Sequence, residues 1–153
     1  MIVDTSPYKF KDWVPIEKIV NSPHLSLNPK AIFYLQQHLE RINWYNLSQN
    51  PNAIFLLEQN LNKVNWEVLL IRNPNSKYLI EKNLDRICNL PKDVLVSNPY
   101  TTPVLEVRIK ELTTDDWIKI SENPEAISLI KKNLHKVNWD ALSRNPGAID
   151  ILS

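Results

Sequence analysis

A period constrains this chain more than any other feature. Asn-Pro occurs six times, at Asn28, Asn50, Asn73, Asn98, Asn123 and Asn145, with spacings of 22, 23, 25, 25 and 22 residues. Around it one phrase recurs: LSLNPKAIFYLQQHLERINW at residues 25–44, LSQNPNAIFLLEQNLNKVNW at 47–66 and ISENPEAISLIKKNLHKVNW at 120–139. Self-similarity at this period marks a stacked array of small units. The repeats are numbered one to six by their Asn-Pro pairs.

Each position of the phrase has a mechanical reading. Asn50 is a helix N-cap, because its side-chain oxygen can accept from an orphan backbone N–H. Pro51 then takes the first helical position, where its missing N–H costs nothing. A helix A follows. At 100° per residue Ala53, Ile54, Leu56 and Leu57 share one side, while Asn52, Phe55, Glu58 and Gln59 point away. Asn60 is expected to stop helix A in the left-handed conformation, with Leu61 folding back as the hydrophobic contact. Asn83 and Asn133 repeat that stop, and His38 replaces it once. A shorter helix B opens at Asn65-Trp66, with Asn43-Trp44, Asp116-Trp117 and Asn138-Trp139 of the same form and Asp12-Trp13 opening a divergent first unit. Helices of about ten and seven residues are marginal alone. Laid against copies of themselves, they share a core.

Two repeats depart from the pattern. In the third, Lys77 replaces the apolar Ile, and ICNLPKDVLVSNP has lost its Trp and gained two residues. The fourth, NPYTTPVLEVRIKELTTDDW, carries three extra residues and a second Pro. There helix A is expected to restart at Pro103 with Thr102 as its cap, and a kink, wider spacing or bulging loop is expected over residues 75–114.

The unit resembles short-helix repeat proteins encoded in many copies by giant DNA viruses of algae and protists, whose units read much like LSxNPNAIxLLExNxDKINW. The opening FKDWVPIEKI at residues 10–19 is similar to the start of such proteins. The resemblance covers residues 10–153 and is weakest at 89–116. It implies a viral origin and no particular activity.

Composition removes several alternatives. Formal net charge is +1, so no strong field draws the chain to nucleic acid or anionic lipid. No apolar run approaches a membrane span, and the N-terminus lacks a signal-peptide pattern. Cys88 is the single cysteine, so no intrachain disulfide and no cysteine zinc cluster can form, and a reducing, intracellular setting is expected, which the resemblance to viral proteins implies is the host cytoplasm or the virion. Gly occurs once and Asn eighteen times, which excludes a Gly-rich phosphate loop and leaves Asn to serve the tight turns. His24, His38 and His135 follow no metal spacing. Repetition arranges equivalent side chains in columns, whereas catalysis needs unlike groups converging in a cleft. The nearest approach to convergence is Glu106, Glu111, Asp115 and Asp116 in repeat four, with Asp116 read as a cap. No catalytic residue, metal, cofactor or small-molecule substrate is therefore assigned. Cys88 takes the place of a helix B cap and reads as a half-buried filler rather than a reactive thiol. The tryptophans read as an internal ladder rather than a binding cage.

Two columns carry functional readings. Phe33, Phe55 and Tyr78 share the position opposite the apolar stripe of helix A, where later repeats place Ser128 and Asp150. Either neighbouring helices cover these rings or they form an exposed apolar strip that binds a protein partner. Arg41, Lys63, Arg86 and Lys136 form a basic column interrupted by Thr114. Either it is a solvated face or it tracks phosphates.

The expected architecture is all-α: one repeat domain over residues 1–153, a short α-solenoid of about six stacked helix pairs of 22–25 residues. A divergent unit spans 1–27, repeats start near 28, 50, 73, 98 and 123, and a capping helix spans 145–153, with Asp150 turned to water. The expected function is a non-catalytic protein-interaction scaffold, as a virion component or host-interaction module. The alternative is a nucleic-acid-binding solenoid. On this reading Asn50→Ala costs about 1 kcal/mol and Trp66→Ala about 3–5 kcal/mol.

Overall fold

The computed structural model describes residues 16–152, so the Asp12-Trp13 opening lies outside the described residues. Every regular element among them is helical, and none is a strand. Helix α1 (Ile16–Val20) and a 3-10 turn at Pro23–Leu27 precede repeat one. Repeats one and two carry α2 (Ile32–Gln37), α3 (Trp44–Gln49), α4 (Ile54–Glu58) and α5 (Trp66–Arg72). Repeat three carries α6 (Lys77–Lys82), α7 (Leu84–Ile87) and α8 (Lys92–Val96). Repeats four and five carry α9 (Thr102–Val107), α10 (Thr114–Glu122), α11 (Ile127–Lys131) and α12 (Trp139–Leu142), and α13 (Ile149–Leu152) follows Asn145.

Helix A of repeats one, two, four and five is preceded by a 3-10 turn, at Pro29–Ala31, Pro51–Ala53, Pro99–Thr101 and Pro124–Ala126. A further single turn separates A from B in most repeats: Leu39–Arg41, α7, Ile109–Glu111 and Leu134–Lys136. The unit is thus three or four short helical pieces rather than the expected pair. Contacts divide the chain into two compact units, Met1–Ser76 and Lys77–Ser153. In the first, α3 packs against α5 and the Pro23–Leu27 turn, and the Pro29–Ala31 turn packs on Pro51–Ala53. In the second, α10 packs against α8 and α12, α7 and α8 pack on α9, and the Pro99–Thr101 turn packs on Pro124–Ala126. Within each unit, helix B therefore lies against helix B and Asn-Pro turn against Asn-Pro turn, while α9 also meets the unlike pieces α7 and α8. The cores follow the expected stripe: Ala53, Leu56 and Leu57 are buried, as are Ala126, Leu129 and Ile130.

Caps explain where the pieces begin. Asn43, Asn65 and Asn138 accept from the N–H three residues on, opening α3, α5 and α12. The Asn-Pro asparagines accept two residues on instead: Asn50 from the Asn52 N–H at 3.0 Å, Asn123 from Glu125 at 2.9 Å. The proline between has no N–H to offer, so the next donor is the nearest one.

The same asparagines have a second task. Asn50 Nδ2 donates to the Ser26 carbonyl at 3.0 Å. Asn73 Nδ2 donates to the carbonyls of Ser48 and Asn50, at 3.0 and 2.9 Å. Asn145 Nδ2 donates to Ser121 and Asn123, both at 2.9 Å. These three asparagines are buried, whereas Asn28 is exposed. One amide therefore caps its own repeat and ties it to the preceding one. A serine completes the tie. Ser48 Oγ donates to the Trp44 carbonyl and accepts from the Asn65 N–H, and Ser121 Oγ does the same with Trp117 and Asn138.

The left-handed stop is corrected: no described residue has positive φ. Asn83 and Asn133 end helix A near φ −135°, and their side-chain amides, like that of Asn60, donate to the carbonyl four residues back at 2.8–2.9 Å. The side chain satisfies the orphan carbonyl, so no backbone reversal is needed. His38 has similar backbone angles, and its backbone N–H donates to the Leu35 carbonyl.

Repeat four is corrected too. Helix A does not restart at Pro103. Asn98 caps the turn at Pro99–Thr101, α9 continues directly from it, and Thr102 lies inside with its hydroxyl bonded to the Pro99 carbonyl. Helix B begins at Thr114, because Thr113 and Asp116 form a reciprocal capping box. Asp116 is that box's third helical residue, not the cap. The three extra residues thus become an added turn of α10.

The tryptophan ladder fails for a related reason. Trp44, Trp66 and Trp139 stand first in their helices, at the edge of the layer. Trp44 and Trp66 are half-buried, and Trp139 is 53% exposed. The added turn places Trp117 inside the body of α10, where it is 2% exposed.

Two stability predictions follow from this geometry. Asn28→Ala should cost about 1 kcal/mol by loss of a cap alone. Asn50→Ala should cost about 2–4 kcal/mol, since a buried carbonyl is orphaned as well. Urea denaturation reads the difference, and equal costs would remove the cross-repeat bond from the account. By the same method Trp117→Ala should cost about 3–5 kcal/mol, and Trp139→Ala about 1 kcal/mol or less.

Candidate interaction surface

Phe33 and Phe55 hold the second position of α2 and α4, one residue beyond the turn set by Asn-Pro. Phe55 faces solvent at 61% exposure, and Phe33 is partly covered at 36%. The reason is the helical stripe itself: Ala31 and Leu35, and likewise Ala53 and Leu56, take the buried side, which turns Phe33 and Phe55 between them outward. In the other unit Tyr78 is 43% exposed on α6, with the Lys82 ammonium 4.3 Å from its ring centroid and bonded to its hydroxyl. Ser128 and Asp150 are exposed as well. Tyr45 at 52% and Ile71 at 56% are further exposed apolar side chains of the first unit, on the outer side of helix B. Their positions face away from the core by the periodicity of helix B.

The basic column is also exposed, with unequal freedom. Arg41 Nη1 donates to Asn21 Oδ1 at 2.6 Å and its Nε lies 3.7 Å from Glu40. Lys63 and Arg86 make no ion pair among the described residues. Lys136 lies 5.8 Å from the Trp117 ring centroid. In repeat four the equivalent turn, Ile109–Glu111, ends on Glu111, so the column is interrupted by a carboxylate rather than by Thr114.

The carboxylates of repeat four do not converge. Glu106 pairs with Lys132, Glu111 with Arg108, and Asp116 with Lys92 at 2.7 Å. Arg108 stands where other repeats place the Asn stop. Its Nη1 donates to the carbonyls of Cys88 and Leu90, at 3.1 and 2.7 Å, while Glu111 holds the other side of the guanidinium. Thus two carbonyls of the irregular segment of repeat three are satisfied by a substitution in repeat four. Neither substitution is interpretable without the other, which is why sequence reading missed the pairing. The Cys88 thiol donates to the Asp85 carbonyl at 3.0 Å and is half-buried. Among the described residues no group of His, Cys, Asp and Glu has a metal-binding arrangement, and no helix is long and apolar enough to cross a membrane. His24 and His135 are exposed, and His38 stacks on Tyr34 with Nδ1 3.4 Å from Glu40.

Burial would push the Asp116 carboxyl up, but hydrogen bonds from Lys92 and Thr113 outweigh it and hold the group below its ordinary range. The hydrogen bond from Arg108 likewise lowers Glu111. Comparison with protein-family models, curated protein sequences and solved structures returns no match.

These lowered carboxyls predict an acid dependence. Their stabilising contribution is complete above the ordinary carboxylate range and is lost as pH falls through the folded values, below about pH 4. Thermal melts from pH 5 to pH 3 should therefore show a fall that Asp116→Asn reduces, because the variant has no charge to lose. Parallel falls in the two proteins would contradict this.

Proposed function

We propose that the chain is a non-catalytic interaction scaffold, a short α-solenoid in which tandem helical units present columns of side chains to a protein partner. Like-on-like packing within each compact unit supports the solenoid, together with the motif period. One observation carries the binding role. Phe33 and Phe55 occupy equivalent positions of consecutive repeats, and both rings are exposed, Phe33 only in part. Exposing two large rings at equivalent positions has a solvation cost, which supports a contact site there. Tyr78 extends the set by sequence position. Resemblance to giant-virus repeat proteins supports a virus-encoded chain acting in the host cytoplasm or virion, as a virion component or host-interaction module.

A second reading, nucleic-acid binding through Arg41, Lys63, Arg86 and Lys136, draws support from the exposure of all four. Against it stand the +1 net charge and the Glu111 interruption.

Affinity capture from infected-cell lysate, with and without nuclease and at two salt concentrations, tests both readings. The expected result is a protein partner retained through nuclease treatment and reduced about tenfold or more by Phe33→Ser with Phe55→Ser, with melting temperature unchanged. Undiminished capture by the double variant would overturn the aromatic surface. Capture abolished by nuclease and steeply weakened by salt would transfer the function to the basic column.

A further inference from the structure

In repeats one, two, three and five the residue just before the helix A stop is polar: Gln37, Gln59, Lys82 and Lys132. Repeat four has Val107 there, and it is 85% exposed. Val107 and the exposed Pro103 stand four residues apart on one face of α9. Both border a cleft of about 620 Å³ between α7 and α9, with Leu84 and Cys88 on its other wall. That volume lies within the roughly 300–1,000 Å³ of ligand sites in general. Leu84 and Pro103 also border a second cleft, of about 280 Å³, which reaches Ser128 on α11. The two clefts thus form one groove with an apolar middle.

The charge around the groove selects its occupant. Asp85 and Glu111 line the first cleft, and Glu81, Glu106 and Glu125 the second. Arg108 also lines the first, but its guanidinium is already held by Glu111 and by the Cys88 and Leu90 carbonyls. No lysine or arginine among the described residues lines the second. Glu106 and Glu125 are paired with Lys132 and Lys77. Glu81 and Asp85 make no ion pair among the described residues, and they flank Leu84 in sequence. We propose that this groove binds a basic peptide segment of a partner protein. Apolar side chains of the segment sit against Val107, Pro103 and Leu84, and a Lys or Arg meets each of Glu81 and Asp85. An acidic segment would meet like charge there, and an uncharged one would cover carboxylates without pairing them. The groove lies wholly within Lys77–Ser153 and takes nothing from Phe33 or Phe55, so it stands independently of that strip.

A random peptide library displayed on phage, selected on the full chain, tests the proposal. Cys88 is the single cysteine and lines the groove, so its alkylation by N-ethylmaleimide reports occupancy. The expected result is enrichment of sequences that set Lys or Arg beside Leu, Ile or Phe. A synthetic copy of such a peptide, at about ten times its Kd, should slow Cys88 alkylation about tenfold. Val107→Lys restores the residue type of Lys82 and Lys132, and should weaken binding about tenfold or more with melting temperature unchanged. Glu81→Gln with Asp85→Asn should weaken it about fivefold and flatten its salt dependence. No enrichment, enriched peptides that leave Cys88 alkylation unchanged, or protection of Cys88 by acidic or uncharged peptides would overturn the inference. Selection and protection use the unaltered protein, so the test holds even if a variant fails to fold.

Discussion

A single side-chain amide holds this architecture together. In Asn50, Asn73 and Asn145 the carbonyl half of the amide caps the turn that follows, and the amino half bonds to carbonyls of the repeat before. Its burial is tolerable only because both halves are satisfied, since an unpaired amide in that position would be strongly destabilising. Aspartate could cap but has no N–H to donate. Serine could cap but would not reach across. The requirement for donor and acceptor on one short stem accounts for the residue type and, with proline behind it, for the pair.

Much of this was legible in the sequence, but to different depths. The period, the Asn-Pro start, the Asn-Trp start and the apolar stripe of helix A follow from local rules that each repeat obeys alone. The second bond of the Asn-Pro amide was not legible, because it depends on where the preceding repeat comes to lie. Its trace was on the page all the same: the serine two residues before Asn50 and Asn123 recurs with them and has no capping task of its own. The Asn stop is legible as a stop, but its mechanism is not. With no described residue at positive φ, the side chain rather than the backbone closes the helix.

Trp117 and Asp116 show why the irregular repeats resisted local reading. Counting from the following Asn-Pro, Trp117 keeps the register of Trp44 and Trp139, so it looks equivalent to them. The insertion lies on its N-terminal side, where it adds a turn and moves the ring from the layer edge into the core. The same insertion moves capping to Thr113 and frees Asp116 to meet Lys92. In the regular repeats a serine hydroxyl accepts from the N–H that opens the next helix B; here the Lys92–Asp116 pair spans the corresponding contact. For the exposed rings the pattern said which way they point, and only the packing decided whether anything covers them.

The central claim, that buried asparagine amides tie successive repeats, is tested most directly by the side chains themselves. Exchange of the Asn Nδ2 protons with solvent, followed by NMR, should be at least about a hundredfold slower for Asn50, Asn73 and Asn145 than for the exposed Asn62. Equal rates for all four would show that these amides face water, and would contradict the account.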